Sequence, residues 1–389
     1  MLTKFKKIDF TVVFILVLLM CASIAVIYSA TNGTKYDGYH IRMARYYILG
    51  FVAFFGMSLL NYRFIVKYAL YVYLFGIALL IIVMVAGREY YNATGWLSIG
   101  GFSFQPAELF KLVLTIALAA LLLRKRKVKL QFWRDVVPLG MVTLVPFVMV
   151  MGQNDLGNAL SYLVILAGIL WVGNIKYIHA LIAAVLIGGA VFGGIKAYVN
   201  YHDEAYAFMK SIHREHWLKR IDPWLMPDQA NKDDAYQTRS GKLAIASGGM
   251  TGKGYLKGDG TQRVPLTYSD SIFVVIAEEF GFIGSSILLL LYFILIHRMI
   301  LISLEAKERS GPYIIVGVVA MLLYQIFENI GMFIGLMPLT GITLPFISFG
   351  GTSILINMAS LGLVMSIRLY GQEDDEQLEV AKTAAASHG

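Results

Sequence analysis

Residues 10–30 read FTVVFILVLLMCASIAVIYSA, an apolar run without a single charged side chain. A helix needs about 20 such residues to cross the hydrocarbon core of a bilayer. The run is also longer than the apolar region of a cleaved signal peptide, which spans roughly 7–15 residues. The sequence therefore predicts a membrane span that is retained in the mature protein.

Comparable apolar runs recur along the rest of the chain. Of its 389 residues, 58% are hydrophobic and only 15% are charged, whereas soluble domains are usually about 25% charged. We therefore predict an all-α integral membrane protein, a bundle of about ten transmembrane helices within a single polytopic domain, residues 1–370. The nine further runs are residues 46–61, 68–87, 108–123, 136–151, 157–173, 177–198, 281–301, 312–334 and 353–370.

Lysine and arginine orient this bundle, because cytoplasmic loops of membrane proteins are enriched in both. With a cytoplasmic N-terminus, seventeen of these residues fall in the inner segments and four in the short outer loops. The formal charge of +8 is thus a topology signal and gives no reason to expect nucleic-acid binding. We predict that both termini are cytoplasmic.

Two segments lie outside the spans. Residues 199–270, between the seventh and eighth spans, have the mixed composition of a soluble domain and form one large extracellular loop in this topology. Its prolines and glycines favour irregular, packed structure. Residues 371–389 are acidic and then alanine-rich, which predicts a disordered cytoplasmic tail.

Glu108 and Lys111 are the first candidate functional residues. They follow Pro106, a residue suited to the first turn of a helix, and their spacing places both on one helix face. Charges at membrane depth are costly unless they face the bundle interior or a cavity. The pair is therefore either a buried structural ion pair or part of a site.

A polar turn, Gln153 to Asn158, connects the fifth and sixth spans. Its side chains, Gln153 and Asp155 among them, are candidates for substrate binding. A turn of this composition also serves simply to reverse the chain, and the residues alone leave both interpretations open.

The stretch Ser247 to Gly254 is rich in glycine and carries Lys253. Its spacing does not match the Walker motif, and Gly254 stands where that motif needs serine or threonine. ATP binding is therefore not expected. The stretch is either a backbone nest for a phosphate or a flexible loop.

Asp270 is the last acidic residue before the chain returns to the membrane. A partly desolvated carboxylate has a raised pKa, which suits a general base. Because aspartate is also favoured at helix N-caps, a purely structural role is the alternative. The last outer loop, residues 335–353, contains two prolines and several glycines, which indicates a rigid hairpin.

Taken together and in this order, these motifs resemble those of the SEDS family of bacterial cell-shape and division proteins (FtsW/RodA/SpoVE). The resemblance covers nearly the whole chain and is nearest to the elongation branch, RodA. It implies a peptidoglycan glycosyltransferase of the bacterial cytoplasmic membrane that polymerises lipid II and releases undecaprenyl pyrophosphate. It also implies that Asp270 matches the essential aspartate of the family, and that Glu108 and Lys111 match its buried ion pair.

The departing pyrophosphate needs positive charge, for which Lys111, Lys253, Arg263 or a divalent cation, Mg²⁺ or Mn²⁺, are candidates. No other cofactor is expected. The resemblance implies a class B penicillin-binding protein as partner, besides membrane lipid and other elongation-complex proteins. Rival hypotheses are a lipid II flippase, a non-catalytic scaffold, and a division or sporulation paralogue. The remaining substrate-binding candidates are Gln153, Asp155, Ser348, Gly350 and Gly351.

Overall fold

The structure is a computed structural model that describes residues 8–90, 93–99, 102–124, 129–211, 215–227, 230–259 and 264–386. Fourteen α-helices are present in these ranges, and a π-helical turn, Phe132–Val136, leads into the sixth. The helices are α1 Phe10–Thr31, α2 Tyr39–Leu59, α3 Tyr62–Lys67, α4 Ala69–Ala86, α5 Pro106–Leu123, α6 Val137–Gly152, α7 Leu156–Val172, α8 Tyr177–Asn200, α9 His202–Ser211, α10 Glu215–Leu225, α11 Lys232–Gly248, α12 Ile272–Glu305, α13 Ser310–Ile334 and α14 Gly351–Ala386.

The helices confirm an all-α membrane protein. Eight are long and apolar enough to cross a membrane, namely α1, α4, α5, α6 with its π-helical turn, α8, α12, α13 and the first part of α14. The ninth, α7, is apolar but shorter. The tenth, α2, has 21 residues and a polar first turn that contains Arg42. These ten correspond to the ten predicted apolar runs.

Helices α5, α13 and α14 form the centre of the bundle. In their apolar stretches 78%, 78% and 89% of the residues are buried, whereas α8 has none. The central helices carry fully buried polar side chains such as Lys111, Gln325 and Asn357. Polar groups are excluded from lipid because they find no partners there, so these helices lie inside.

The first and last spans are joined by charge at one end of the bundle. Asp9 caps α1 by accepting hydrogen bonds from the backbone N–H groups of Thr11 and Val12, at 3.0 and 3.3 Å. Its carboxylate also pairs with Arg298 of α12 and Arg368 of α14. Burial tends to raise the pKa of Asp9, but the two arginines and the capping bond lower it overall. Three spans are thereby held together.

A small antiparallel sheet lies between α4 and α5. Its strands are β1 Arg88–Tyr90, β2 Ala93–Ile99 and β3 Phe102–Phe104, in the order β1-β2-β3. The hydroxyl of Thr352 donates to Ser103 O at 3.0 Å and accepts from Gln105 N at 3.2 Å. The sheet therefore fixes the start of α5 against the start of α14.

The long segment 199–270 is mainly helical, in contrast to the irregular structure expected from its prolines and glycines. On α11, Thr238 and Ala244 are buried, and Gly241 lies where an added Cβ would be 2.7 Å from the Phe333 ring. This helical spacing of small buried residues packs α11 against α13. The chain after residue 370 likewise has helical backbone through Ala386, where a disordered tail was predicted; its alanine, glutamate and glutamine residues are good helix formers.

Helix α12 begins at Ile272, nine residues before the predicted eighth span, and is broken at Gly281 (φ 63°, ψ −160°). Residues 248–254, the glycine clamp, close this break with backbone hydrogen bonds. Lys253 N and Gly254 N donate to the carbonyls of Glu278 and Glu279 at 3.0 and 2.9 Å. In return, Gly249 O accepts from Phe282 N at 2.9 Å.

The glycine clamp is neither of the two structures proposed from its sequence. The N–H groups of Lys253 and Gly254 bind protein carbonyls, so they do not form an open phosphate nest. A Cβ on Gly248 or Gly252 would lie 2.0 or 2.1 Å from the carbonyl oxygen of Ala277 or Glu279. The glycines are therefore required for close backbone contact with α12.

Candidate active site

The loop of residues 335–350, which we call the hairpin before α14, contains no helix or strand. A cavity of about 400 Å³ lies between this hairpin, the first turns of α2, the β3–α5 junction, the α6–α7 turn, α10 and the turn before α12. Most of the sequence-predicted motifs contribute to it. Its lining residues are Tyr39, Arg42, Tyr46, Trp96, Ser103, Gln105, Glu108, Asn154, Asp155, Asn158, Arg220, Leu266, Tyr268, Ser269, Asp270, Thr340, Gly341, Ile342, Thr343, Phe349, Gly350, Gly351, Thr352 and Ser353.

Asp270 lies in the turn that precedes α12. Its Oδ1 accepts a hydrogen bond from Ser269 Oγ at 2.8 Å, and its backbone carbonyl accepts one from Asn329 Nδ2 at 2.8 Å. The N-cap position of α12 belongs to Ser271, whose hydroxyl donates to Pro265 O at 2.8 Å. The carboxylate of Asp270 is therefore directed to the cavity, and it is not the helix cap.

The electrostatic surroundings of Asp270 suit a proton acceptor. Burial raises the pKa of its carboxyl to about 6, with a further upward contribution from the negative charge of Asp155. The hydrogen bond from Ser269 and the positive charge of Arg220 act in the opposite direction. At neutral pH the group is ionised, and it is a stronger base than an ordinary aspartate.

Asp155 is held rigidly at the start of α7. Its Oδ1 accepts from Asn158 N at 3.1 Å, and its Oδ2 accepts from Gln105 Nε2 at 2.7 Å and Asn158 Nδ2 at 2.8 Å. The polar turn thus both caps a helix and forms part of the cavity wall. Gln153, predicted beside it as a binding residue, is buried and is not among the lining side chains.

Glu108 and Lys111 form an ion pair with Nζ and Oε2 2.8 Å apart. The Lys111 side chain is fully buried and that of Glu108 is 6% exposed. Glu108 lines the cavity, and Lys111 lies behind it. The pair is therefore a buried ion pair, and one of its members, Glu108, also forms part of the cavity wall.

The hairpin before α14 supplies the opposite wall. Gly350 and Gly351, two of the substrate-binding candidates, line the cavity. Ser348 does not, because its hydroxyl is buried and accepts from Leu344 N at 2.8 Å within the hairpin. Phe349 N donates to Tyr268 O at 2.9 Å, which ties the hairpin to the turn that carries Asp270.

Lys253, a predicted phosphate ligand, does not line the cavity. Lys253 lies in the glycine clamp, where its ammonium pairs with Glu278 at 2.6 Å and Asp259 at 3.3 Å. The hydrogen bond to Glu278 is the main reason why the pKa of Lys253 is raised. Arg263 lies outside the residues that the structure describes.

Among the residues that the structure describes, the cationic side chains that line the cavity are Arg42 and Arg220, and sequence reasoning missed both. The guanidinium of Arg42 lies 5.0 Å from the ring centroid of Tyr39. Arg220 Nη1 donates to Thr340 O at 3.3 Å. Arg42 lies in the first turn of α2, and Arg220 lies on α10, 50 residues before Asp270. Only the fold brings the two side chains together. Arginine's suitability for phosphate was the one available signal.

Within the described ranges, no three histidine, cysteine, aspartate or glutamate side chains form a group that could hold a metal ion. A divalent cation at this site therefore stays a prediction. Positive charge at the cavity is provided by the two arginines.

Comparison with known proteins shows which family the chain resembles. The family model for cell cycle proteins of the FtsW/RodA/SpoVE type matches residues 6–373. The chain is 32% identical to the peptidoglycan glycosyltransferase MrdB of Escherichia coli K12, over 93% of this chain and 94% of that protein. It is 29% identical to the stage V sporulation protein E of Bacillus subtilis, over 96% and 100%.

Solved structures agree with the sequence comparison. A chain from a peptidoglycan synthase complex that coordinates polymerization and crosslinking superposes with a TM-score of 0.78 at 28% identity, covering 94% of this chain and 98% of that one. The rod shape determining protein RodA of Thermus thermophilus gives 0.66 at 27% identity, covering 93% and 96%. The chain therefore belongs to the FtsW/RodA/SpoVE family of cell cycle proteins.

Proposed function

We propose that the protein is a peptidoglycan glycosyltransferase that polymerises lipid II into glycan strands and releases undecaprenyl pyrophosphate. The cavity would open at the outer face of the bacterial cytoplasmic membrane, with both termini in the cytoplasm. The observation that carries the proposal is Asp270, a carboxylate of raised pKa in a cavity at the ends of the spans. The activity named for the E. coli relative supports it.

The reaction joins two lipid-linked disaccharides. A hydroxyl of the acceptor sugar attacks the anomeric carbon of the donor, a glycosidic C–O bond forms, and the bond from that carbon to the pyrophosphate breaks. Asp270 takes the proton of the attacking hydroxyl, a contribution typically worth about 10²–10⁴ in rate. No nucleotide is required, because the donor is already activated by its pyrophosphate.

Negative charge accumulates on the pyrophosphate as it leaves, and preorganised positive groups stabilise such charge. Arg42 and Arg220 line the same cavity as Asp270, and the planar guanidinium binds phosphate oxygens in a bidentate manner. We assign the pyrophosphate to these two side chains. A bound Mg²⁺ or Mn²⁺ would supply the same kind of stabilisation, and neither role excludes the other.

A lipid II flippase is the rival function. Transporters place polar groups near the membrane midplane, commonly where a helix is broken. The break in α12 at Gly281 is closed by backbone hydrogen bonds from the glycine clamp, whereas the cavity is built from turns and helix ends. This arrangement favours an enzyme that takes substrate from one face.

Within the family, we propose a role in cell elongation and shape maintenance, with a division or sporulation paralogue as the alternative. The identity to E. coli MrdB, 32%, is slightly higher than the 29% to the sporulation relative. We also propose a class B penicillin-binding protein as partner, because the chain superposes on a component of a complex that couples polymerization to crosslinking. Other elongation-complex proteins would contact the same assembly.

The proposed function is tested with purified full-length protein, lipid II and an electrophoretic assay for glycan chains. We expect polymer from the wild-type protein alone and none above background from Asp270→Ala. Equal polymer from both proteins would reject the assignment of Asp270. Transport of lipid II across vesicles without any polymer would favour the flippase.

A further inference from the structure

One wall of the cavity is aromatic. Tyr39, Tyr46, Tyr268 and Phe349, which we call the aromatic wall, come from α2, from the turn before α12 and from the hairpin before α14. The ring of Phe349 stacks on Tyr39 with centroids 4.5 Å apart and planes inclined by 22°. Tyr268 meets Tyr39 edge-on at 5.2 Å, so the rings form one continuous surface.

The aromatic wall differs from an interfacial belt of the kind that anchors spans to lipid headgroups. Such a belt faces outward, as Phe64 and Tyr71 do here with 65% and 68% of their surface exposed. Tyr268 is instead only 8% exposed, and Phe349 is half-buried. Because these rings line a cavity that also contains carboxylates, they are placed where a ligand that enters the cavity would touch them.

The position of the wall is fixed relative to Asp270. Tyr268 lies two residues before Asp270 in the same turn, and its carbonyl accepts the hydrogen bond from Phe349 N at 2.9 Å. Asn329 joins the two segments a second time, by donating to Asp270 O at 2.8 Å and Ile342 O at 2.7 Å. A ligand lying on the wall is therefore held at a set distance from the carboxylate.

Apolar planes beside polar groups match one class of ligand especially well. A pyranose ring has a face of C–H groups, which packs on an aromatic ring, and a rim of hydroxyls, which needs hydrogen-bonding partners. The cavity supplies such partners in Ser269, Thr340 and Asn158, the combination of apolar surface and few placed polar groups that is typical of ligand sites. A fatty or polyprenyl chain would leave these polar groups without partners.

We propose that the aromatic wall is the acceptor-sugar subsite, on which the pyranose of an N-acetylhexosamine stacks with its attacking hydroxyl directed to Asp270. The inference rests on the proposed glycosyltransferase function and names where the acceptor binds. The donor pyrophosphate lies at Arg42 and Arg220, so that the two substrates meet at the carboxylate.

Binding can be measured separately from catalysis with a soluble probe, the β-1,4-linked trimer of N-acetylglucosamine. We expect saturation-transfer NMR to show magnetisation passing from aromatic protons of the full-length protein to the C–H protons of the trimer. Phe349→Leu should weaken trimer binding about tenfold, the upper range for one aromatic contact, and Phe349→Tyr should restore it. The matched control is Tyr71→Leu, which removes an exposed ring on the lipid-facing side and should bind the trimer like wild type.

The outcomes separate this inference from the proposed function. Asp270→Asn should keep trimer binding while losing polymer synthesis. Equal trimer binding by Phe349→Leu and Tyr71→Leu, both with wild-type melting temperatures, would overturn the subsite, even if the wild type polymerises lipid II. If Phe349→Leu has a lower melting temperature than wild type, the folded variant Phe349→Tyr is used for the test. Trimer binding by Phe349→Tyr that is weaker than that of wild type would also overturn the subsite. Saccharide binding on the wall without polymerisation by the wild type would leave a saccharide-binding surface but would overturn its acceptor role together with the enzyme.

Discussion

Two polar regions flank the first half of α12, and they differ in how their charges are satisfied. In the glycine clamp, Lys253 pairs with Glu278 and Asp259, and backbone groups pair across the break in the helix. In the cavity, Asp270 and Arg220 lie along one open volume and influence each other through charge. The charges of the clamp are therefore paired within the protein, whereas those of the cavity face an open volume that can accept a ligand.

The largest effect expected from this difference is that of Asp270→Asn. Asparagine keeps the size of the side chain but cannot take up the proton, so glycan synthesis should fall by roughly 10²–10⁴. The membrane level of the variant should stay normal, since the helix cap is Ser271. Near-wild-type synthesis would mean that Asp270 has only a structural role, as the charged residues of the clamp do.

The next largest effect is expected from Lys111→Ala. Breaking a buried ion pair typically costs about 3–5 kcal/mol, because it leaves a lone buried charge. We expect a lower melting temperature and little active protein. The matched control is the double variant Glu108→Gln with Lys111→Met, which carries no charge and should recover folded protein. Full polymerase activity in that double variant would show that the pair is structural only.

Arg220→Gln and Lys253→Gln compare the two regions directly. At the cavity, losing a charged hydrogen bond to substrate costs about 1.5–3 kcal/mol, so Arg220→Gln should lower kcat/KM for lipid II by roughly 10- to 150-fold. In the clamp, Lys253→Gln should lower the melting temperature, since Glu278 is buried, and leave kcat/KM unchanged. The reverse pattern would exchange the roles assigned to the two residues.

A smaller effect is expected from Gly252→Ala in the clamp. Its φ of +79° is strained for alanine, and the added Cβ would lie 2.1 Å from Glu279 O. Strain of this kind costs about 1–3 kcal/mol, which thermal unfolding should reveal. Gly249→Ala is the control, because Gly249 also has a positive φ, +54°, but no atom within 4 Å of an added Cβ. Equal destabilisation by both would show that close contact with α12 is not what requires glycine.

The smallest effect is in the pH dependence of glycan synthesis. Because the base must be ionised and the pKa of Asp270 is about 6, activity should be constant above that pH and fall about tenfold per unit below it. Measuring initial rates from pH 5 to pH 8 tests this. A rate that stays constant down to pH 5 would mean that no group of this pKa takes the proton.

The ten spans could be predicted from sequence because a long apolar run in lipid satisfies its own backbone hydrogen bonds as a helix, whatever its neighbours. The start of α12 could not, since Glu278 and Glu279 interrupt the apolar pattern before Gly281, and the glycine clamp that binds their carbonyls lies elsewhere in the sequence. Asp270, Asp155 and Glu108 were identified because each interrupts apolar sequence with a polar group near the end of a span.

Other parts of the site depend on contacts between distant segments. Arg42 and Arg220 reach the cavity from α2 and α10, which are far apart in the sequence, and no local pattern distinguishes them from other arginines. The glycine-rich stretch around Lys253 suggested a phosphate site. The carboxylates that bind its ammonium, those of Asp259 and Glu278, lie outside that stretch. The local sequence thus identifies which polar side chains lie within or next to membrane spans. Tertiary contacts decide which of these side chains face the cavity.

The contacts of Asp9 with Arg298 and Arg368 also imply a delay during biosynthesis. Arg368 lies 359 residues after Asp9, and ribosomes add roughly 5–20 residues per second. The first span therefore waits roughly 20–70 seconds in the membrane before its last partner is made. The link between α1, α12 and α14 is therefore completed only after α14 has been made, and a ribosome that stalls before Arg368 leaves Asp9 without its second arginine.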